Sequence, residues 1–279
     1  MIEKIVITVA GLGQCEQMLK MLLEIPVMQQ AKITVLHVVP PQVTSELMAE
    51  KLEAGGKILA QAIESLGLPP AKLKPLLIQG EPKDAVCQVA IDEQADLLII
   101  GSRGMSRLES ILSNSVSQYV FQLASCPMLL VKDDSYIKHI NRVLVAYDDS
   151  VSAKASLQLA LSMLRDVKGG QLLLARIVST PKAADEIVPE KDPILMPAIA
   201  AAKKMQVAYK CLVAGGNAGK GICALANDYN ADLLMLGSPD RRPSIAKTLP
   251  DLDRLLGSSV SDYVRVHAPC PILLTRSPR

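Results

Sequence analysis

Residues 95–132, ADLLIIGSRGMSRLESILSNSVSQYVFQLASCPMLLVK, decide how the rest of the chain is read. The apolar run 97–100, bounded by Asp96 and Gly101, has the character of a strand buried on both faces. Gly101-Ser102-Arg103-Gly104 follows, where two glycines permit positive φ and close approach of a ligand. Ser113-Asn114-Ser115 then reads as the cap of a helix whose apolar positions Val116, Tyr119, Val120 and Leu123 fall at i, i+3, i+4 and i+7. Cys126-Pro127 ends that helix, and residues 128–131 supply another apolar strand. A glycine loop, a helix N-terminus and hydroxyls in this order suit an anion.

The same unit occurs again. Residues 231–238 read ADLLMLGS against ADLLIIGS at 95–102, differing at two of eight positions. Further on, SVSDYV at 259–264 matches SVSQYV at 115–120, and APCPILL at 268–274 echoes ASCPMLL at 124–130. The first pair is offset by 136 residues and the second by 144, so the later copy carries eight extra residues between glycine loop and helix. A period this long marks a duplicated domain; solenoid units are far shorter.

The 279 residues accommodate two domains of about 140 residues each, and with 49% apolar residues each half can bury a full core. No Trp and one Phe leave aliphatic cores, and the lack of aromatic platforms counts against single-stranded nucleic-acid binding. A net charge of +2 without a basic block predicts neither a polyanion partner nor a membrane surface. The six cysteines (Cys15, Cys87, Cys126, Cys211, Cys223, Cys270) show no CxxC spacing. Cys87 matches Cys223 and Cys126 matches Cys270, in positions of small core residues. The opening MIEKIVITV has a strand pattern and not a signal-peptide layout, and no apolar run reaches membrane length, so a cytoplasmic location is expected.

Taken in order, residues 5–9, 32–39 and 74–79 read as strands one to three. The helix between the first two places Met18, Leu19, Leu22 and Leu23 on one side. Residues 44–66 form a long helix with Leu47, Leu52, Ile58, Leu59, Ala62 and Ile63 inward, weakened in the middle by Gly55-Gly56. Pro82 opens a third helix with Val86, Val89 and Ala90 inward. Residues 132–139 are charged and aperiodic and serve as a linker, giving domains 1–134 and 139–279. The second domain repeats the order through 141–147, 151–165, 171–177, 210–214, 222–229 and 233–236. Residues 179–197, rich in Pro and charge, are expected to loop before a shorter helix at 198–204. Alternation of helices with fully apolar strands predicts an α/β fold: two open five-stranded parallel sheets flanked by helices.

Two successive copies ending in a strand, G-x-x-G, about nine residues, a small residue and S-V-S/T resemble tandem universal stress protein domains, over essentially the whole chain. The resemblance implies a Rossmann-like, adenine nucleotide alpha hydrolase-like sheet in each half, the halves packed as an intramolecular pseudo-dimer. It also implies that ATP, ADP or AMP, with or without Mg2+, lies at the carboxyl edge of the sheet. In the first domain Val38 matches the adenine-side valine, and Gly101, Gly104, Ser115, Val116 and Ser117 match the phosphate and ribose set. Asn114 replaces a glycine, a mild change because Asn tolerates left-handed backbone. Ala10 stands where an Asp is expected. The second domain has the reverse pattern: Asp148 is present and Ile177 replaces the valine, but Gly237 is followed by Ser238-Pro239-Asp240 without a second glycine. Its enlarged loop brings Arg241, Arg242, Lys247 and Arg254 against Asp251 and Asp253, and Ser258, Ser259, Val260 and Ser261 repeat the helix-start site.

Plainer roles compete with these. Gly101 and Gly104 suit a tight turn, Asp148 suits a cap for the helix near Val151, and Ser115 and Ser117 suit helix caps. The glycine-rich run 215–221 falls short of a P-loop: three residues, not four, separate Gly215 from Gly219, and Gly221 occupies the place of the metal-binding hydroxyl. His37, His139 and His267 have no carboxylate or Cys at ligand spacing, and no Ser-His-Asp or Cys-His signature is present. The reading is therefore a stress-response protein that binds adenine nucleotide and acts as a regulator or adaptor, hydrolysis being slow at most. The alternative is a nucleotide-free interaction scaffold of the same family. The protein partner is unknown, and further pairing into a homodimer is compatible with either reading.

Overall fold

The computed structural model describes residues 2–11, 13–102, 116–132, 138–238 and 259–276. The chain divides into two compact units, Met1–Asp134 and Ser135–Arg279.

The first unit runs β1 (Lys4–Thr8), α1 (Gln14–Glu24), β2 (Lys32–Val39), α2 (Ser45–Leu66), β3 (Leu73–Gln79), α3 (Pro82–Asp92), β4 (Leu97–Ser102), α4 (Val116–Leu123) and β5 (Met128–Lys132). Its strands lie in the order β3-β2-β1-β4-β5, all parallel. Parallel strands need crossovers, and helices on both faces make the central strands apolar throughout. Ile5, Val6 and Ile7 in β1 and Leu97, Leu98 and Ile99 in β4 are accordingly buried. The register is held at the amino edge by Asp96, whose Oδ2 accepts from the main-chain N–H groups of Glu3 (2.8 Å) and Lys4 (2.9 Å).

Thr44 caps α2, its Oγ1 accepting from Leu47 N at 3.2 Å, and Gly67 ends the helix at φ 62°. Gly55 does more than weaken this helix: a Cβ there would lie 2.8 Å from His37 Cδ2 and 2.9 Å from Val39 Cγ2. Its bare backbone is what brings α2 onto β2. The buried set of α2 starts there, comprising Gly55, Leu59, Ala62 and Leu66, and the expected inward Leu47 is exposed because it precedes this contact.

The second unit repeats the plan with β6 (Arg142–Ala146), α5 (Val151–Leu164), β7 (Gln171–Val178), α6 (Pro181–Asp185), α7 (Leu195–Lys204), β8 (Ala208–Gly215), α8 (Ala218–Asp228), β9 (Leu233–Ser238), α9 (Val260–His267) and β10 (Ile272–Arg276). Strand order is β8-β7-β6-β9-β10, again all parallel. Asp232 does what Asp96 does: its Oδ2 accepts from Asn141 N (3.0 Å) and Arg142 N (2.7 Å).

Residues 179–197 are not one loop. They hold α6, a 3₁₀ turn at Pro189–Lys191, and the start of α7. Thr180 Oγ1 accepts from Ala183 N (3.2 Å), and Pro181 takes the first helical position, so these residues are helix-start signals. Buried Asp192 accepts from Ile194 N (2.8 Å), Leu195 N (3.2 Å) and the Arg176 guanidinium, which pins the start of α7 to β7.

One difference between the two cores is polar. Between α5 and β10 lies a buried polar cluster: the Ser156 and Thr275 hydroxyls bond each other, and the proton not used between them goes to Ser152 O, 3.2 Å from Ser156 Oγ and 3.3 Å from Thr275 Oγ1. The corresponding residues of the first unit are Cys15, Leu19 and Val131, all buried.

Candidate functional site

In each unit the strand order reverses beside the first strand, between β1 and β4 and between β6 and β9. The carboxyl edge of that crevice is where an open parallel sheet receives ligands.

In the first unit Val38 is half-buried near the end of β2, and β2 and β4 flank β1. Gly101 is in β4 opposite Val131, and a Cβ on it would meet Cys15 Sγ in the first turn of α1 at 3.3 Å. Val116 begins α4, partly exposed, with Ser117 buried behind it. These positions share the carboxyl edge. Gly104, Asn114 and Ser115 lie outside the described residues. Ala10, in place of the expected Asp, is exposed just beyond β1, and the preceding Val9 carbonyl accepts a hydrogen bond from His37 Nδ1 at 2.8 Å. Gly11 and Gly13 then turn at φ 82° and 80°, and Gly13 gives α1 no side-chain cap.

Glu16, in the first turn of α1, was not singled out by sequence reasoning. It is 5% exposed, and burial raises its carboxyl above the usual range despite its own backbone hydrogen bond and Lys20. A Glu in the first turn is so ordinary a feature that its burial beside the crevice left no mark in the sequence.

In the second unit Asp148 is exposed, and its Oδ1 accepts from Ser150 N at 3.0 Å. The cap of α5 is Ser150 itself, with Oγ accepting from Ala153 N at 3.2 Å, so Asp148 shapes the turn without capping. Asp149 sits at φ 64°, paired with Lys154 at 3.0 Å and accepting from buried Tyr147 at 3.0 Å. Burial, and then the Asp149 bond, push the Tyr147 phenol far up, so it stays a donor. Ile177 packs against α8, where a Cβ on Gly221 would meet its Cδ1 at 2.9 Å.

Gly237 has a packing duty. A Cβ there would lie 2.4 Å from Ser152 C and 2.5 Å from Ala153 N, both in the main chain of α5. At the start of α9, Ser259 Oγ accepts from Asp262 N (3.2 Å), donates to Asp262 Oδ2 (2.6 Å) and lies 3.0 Å from Ser261 Oγ. Val260 is 40% exposed beside them. Ser258, Pro239, Asp240 and the charged loop 241–256 lie outside the described residues.

The glycine run 215–221 is accounted for by packing. Gly215 abuts the Thr180 carbonyl, Gly216 turns at φ 103°, and Gly219 receives the Tyr263 ring. Asn217 caps α8, its Oδ1 accepting from Lys220 N at 3.0 Å. Among the described residues no group of three or more His, Cys, Asp or Glu could hold a metal ion, and no helix is long and apolar enough to cross a membrane.

Two successive doubly wound parallel α/β units, each ending its fourth strand in Gly-Ser at the ligand edge, define a tandem α/β protein. The universal stress protein family model matches residues 1–132 and again 139–276, and the chain belongs to that family. A universal stress protein of Thermus aquaticus is 40% identical over 87 residues, 31% of this chain and 62% of that protein. A solved universal stress protein from Archaeoglobus fulgidus superposes with TM-score 0.77 at 21% identity, covering 98% of this chain and 96% of its own, which establishes the shared fold. A family member from Arabidopsis thaliana solved with AMP bound aligns at TM-score 0.36 and 19% identity over 50% of this chain and 92% of its own; that likeness is too low to transfer the ligand.

Proposed function

We propose that this is a stress-response protein whose first unit binds an adenine nucleotide, ATP, ADP or AMP, in the carboxyl-edge crevice between β1 and β4, and that it acts as a nucleotide-dependent regulator or adaptor. The observation that carries the reading is the placement of Val38, Gly101 and the start of α4 along one edge at the strand-order reversal. Main-chain donors and bare backbone hold the charged part of such a ligand. The missing Asp at Ala10 costs one hydrogen bond, about 1–2 kcal/mol or roughly tenfold in affinity. A ligand of this kind shifts the protein toward whichever conformation it binds more tightly, and signals by that differential affinity.

The second unit is better read as the scaffold half. The space above Gly237 is taken by α5, and the Ser259 hydroxyl is committed to Asp262.

The test is chemical. Protein purified without added nucleotide is denatured and its supernatant resolved by ion-exchange chromatography. Substoichiometric ATP, ADP or AMP is expected, lost in Gly104→Val and largely kept in Asp148→Ala. If Asp148→Ala alone empties the protein, the second unit is the binding half. If neither purified nor ATP-incubated protein carries nucleotide, the chain is a scaffold.

A further inference from the structure

The second unit has a cavity of about 610 Å³ at the opposite, amino edge of its sheet. Its wall is formed where the chain enters β6, β7, β8 and β9, and Lys138, His139, Asn141, Arg142, Gln171 and Asp232 line it. Gly169, at φ 77°, and Gly170 leave the adjoining rim bare. Asp232 offsets one of the two cationic side chains of this wall, Lys138 and Arg142, and leaves one positive charge over. One carboxylate oxygen is saturated by the main-chain N–H groups of Asn141 and Arg142, and the other stands 3.9 Å from Arg142 Nη2. That separation is a loose ion pair, and the Arg142 side chain is 42% exposed at this wall.

The duplication supplies an internal comparison. Asp96 holds Glu3 and Lys4 in the same way, but there Glu3 stands for Asn141, Lys4 Nζ is engaged by Gln94 at 3.0 Å, and Gln30-Ala31 replace the two glycines. The buttressing carboxylate belongs to the shared scaffold; the arginine and the two rim glycines are features of the second copy.

We propose that this amino-edge cavity binds a phosphate group, on a small ligand such as a sugar phosphate. The Arg142 fork and the Lys138 ammonium hold the phosphate oxygens, with His139 lying beside them in the lining, and the Asn141 and Gln171 amides face the polar body. Guanidinium and ammonium donors together match a group with three unesterified oxygens. The volume falls in the range of small-molecule pockets and exceeds what a bare ion fills. The site is on the other edge and in the other unit from the proposed nucleotide crevice, and does not depend on it.

The experiment uses the full chain and the Cε1–H NMR signals of its three histidines. Inorganic phosphate, ribose 5-phosphate and ribose are titrated at fixed pH and ionic strength. The two phosphates are expected to shift the His139 signal saturably, with His37 and His267 unmoved, and ribose to shift nothing. Arg142→Gln weakens the response at least about tenfold, and Lys138→Gln, at an exposed position, weakens it in a protein whose fold is not in question. Gly104→Val leaves it intact, which separates this site from the nucleotide reading. Tighter binding of ribose 5-phosphate identifies an esterified ligand, and equal binding a free phosphate ion. Absence of a saturable His139 shift, or an unchanged shift in both Arg142→Gln and Lys138→Gln, overturns the proposal.

Discussion

Replacing Gly237 by Ala separates the two duties that a glycine at the end of β9 can have. The new Cβ would stand 2.4 Å from Ser152 C, 2.5 Å from Ala153 N and 2.6 Å from Ser152 O. These are main-chain atoms of a helix and cannot rotate aside, so restoring ordinary contact moves the first turn of α5 by roughly 1 Å. Overpacking of this kind costs about 1–3 kcal/mol. The same displacement loosens the hydrogen bond that Ser152 O accepts from the Ser156–Thr275 pair, worth about 1 kcal/mol. Reduced freedom of the unfolded chain returns about 0.4–1 kcal/mol. The net loss is ~2–3 kcal/mol, or about 4–12 °C in Tm for a domain of this size. Gly101→Ala is the control: its Cβ would meet a side-chain sulfur at 3.3 Å, which yields by a few tenths of an ångström, and the loss stays under about 1 kcal/mol. Thermal unfolding by circular dichroism, with hydrogen exchange on peptides from α5, measures both variants without added nucleotide. Equal stability of Gly237→Ala and wild type, with α5 protection unchanged, would falsify the packing account and return Gly237 to the ligand.

Three further outcomes follow from buried charge. Glu16→Gln raises Tm at pH 7, because burial disfavours the carboxylate; lowering the pH through the raised Glu16 value toward the ordinary carboxyl range protonates wild type and closes the gap, whereas a gap constant from pH 7 to 4 contradicts it. Cys211 has its thiol pushed up to about 11 by burial, then by Glu190 and Asp192, so at pH 9 about 1% is thiolate against about half of an ordinary thiol. Peptide mapping after iodoacetamide at pH 9 should find Cys211 alkylated far more slowly than cysteines of an unfolded control. Asp192→Asn removes the charge that Arg176 faces and costs ~2–3 kcal/mol, with exchange protection lost first in α7; protection lost uniformly across the second unit would show that the pair does more than hold that helix.

Strand positions were legible because a parallel sheet buried on both faces writes itself as continuous apolar runs; β2 has the expected bounds, and β4 and β5 each start where the run starts. The helix at Leu195–Lys204 was clipped at 198 because its cap is supplied by Asp192, three residues upstream and bound to an arginine distant in sequence. Glycines were the least legible residues. Gly55, Gly215, Gly219 and Gly237 all look like loosened backbone or ligand loops in the sequence, yet each faces packed atoms brought from another element. Gly101 and Asp148 could be placed on the right edge from motif order, because that order is local. Whether a residue such as Glu16 is buried depends on what folds over it, which no local pattern records.

The Ser156–Thr275 hydroxyl pair of α5 and β10 sets a rule for anyone who would swap parts between the two halves. A hybrid that laid α1 over β10 would face Thr275 with Cys15 and Leu19, and the threonine would lose its serine partner in a site closed to water. The reverse hybrid would set Ser156 against Val131 and leave its hydroxyl only the Ser152 carbonyl of its own helix. Either hybrid loses the bond between helix and strand, about 0.5–1.5 kcal/mol, so helix and terminal strand are a matched set for transplanting.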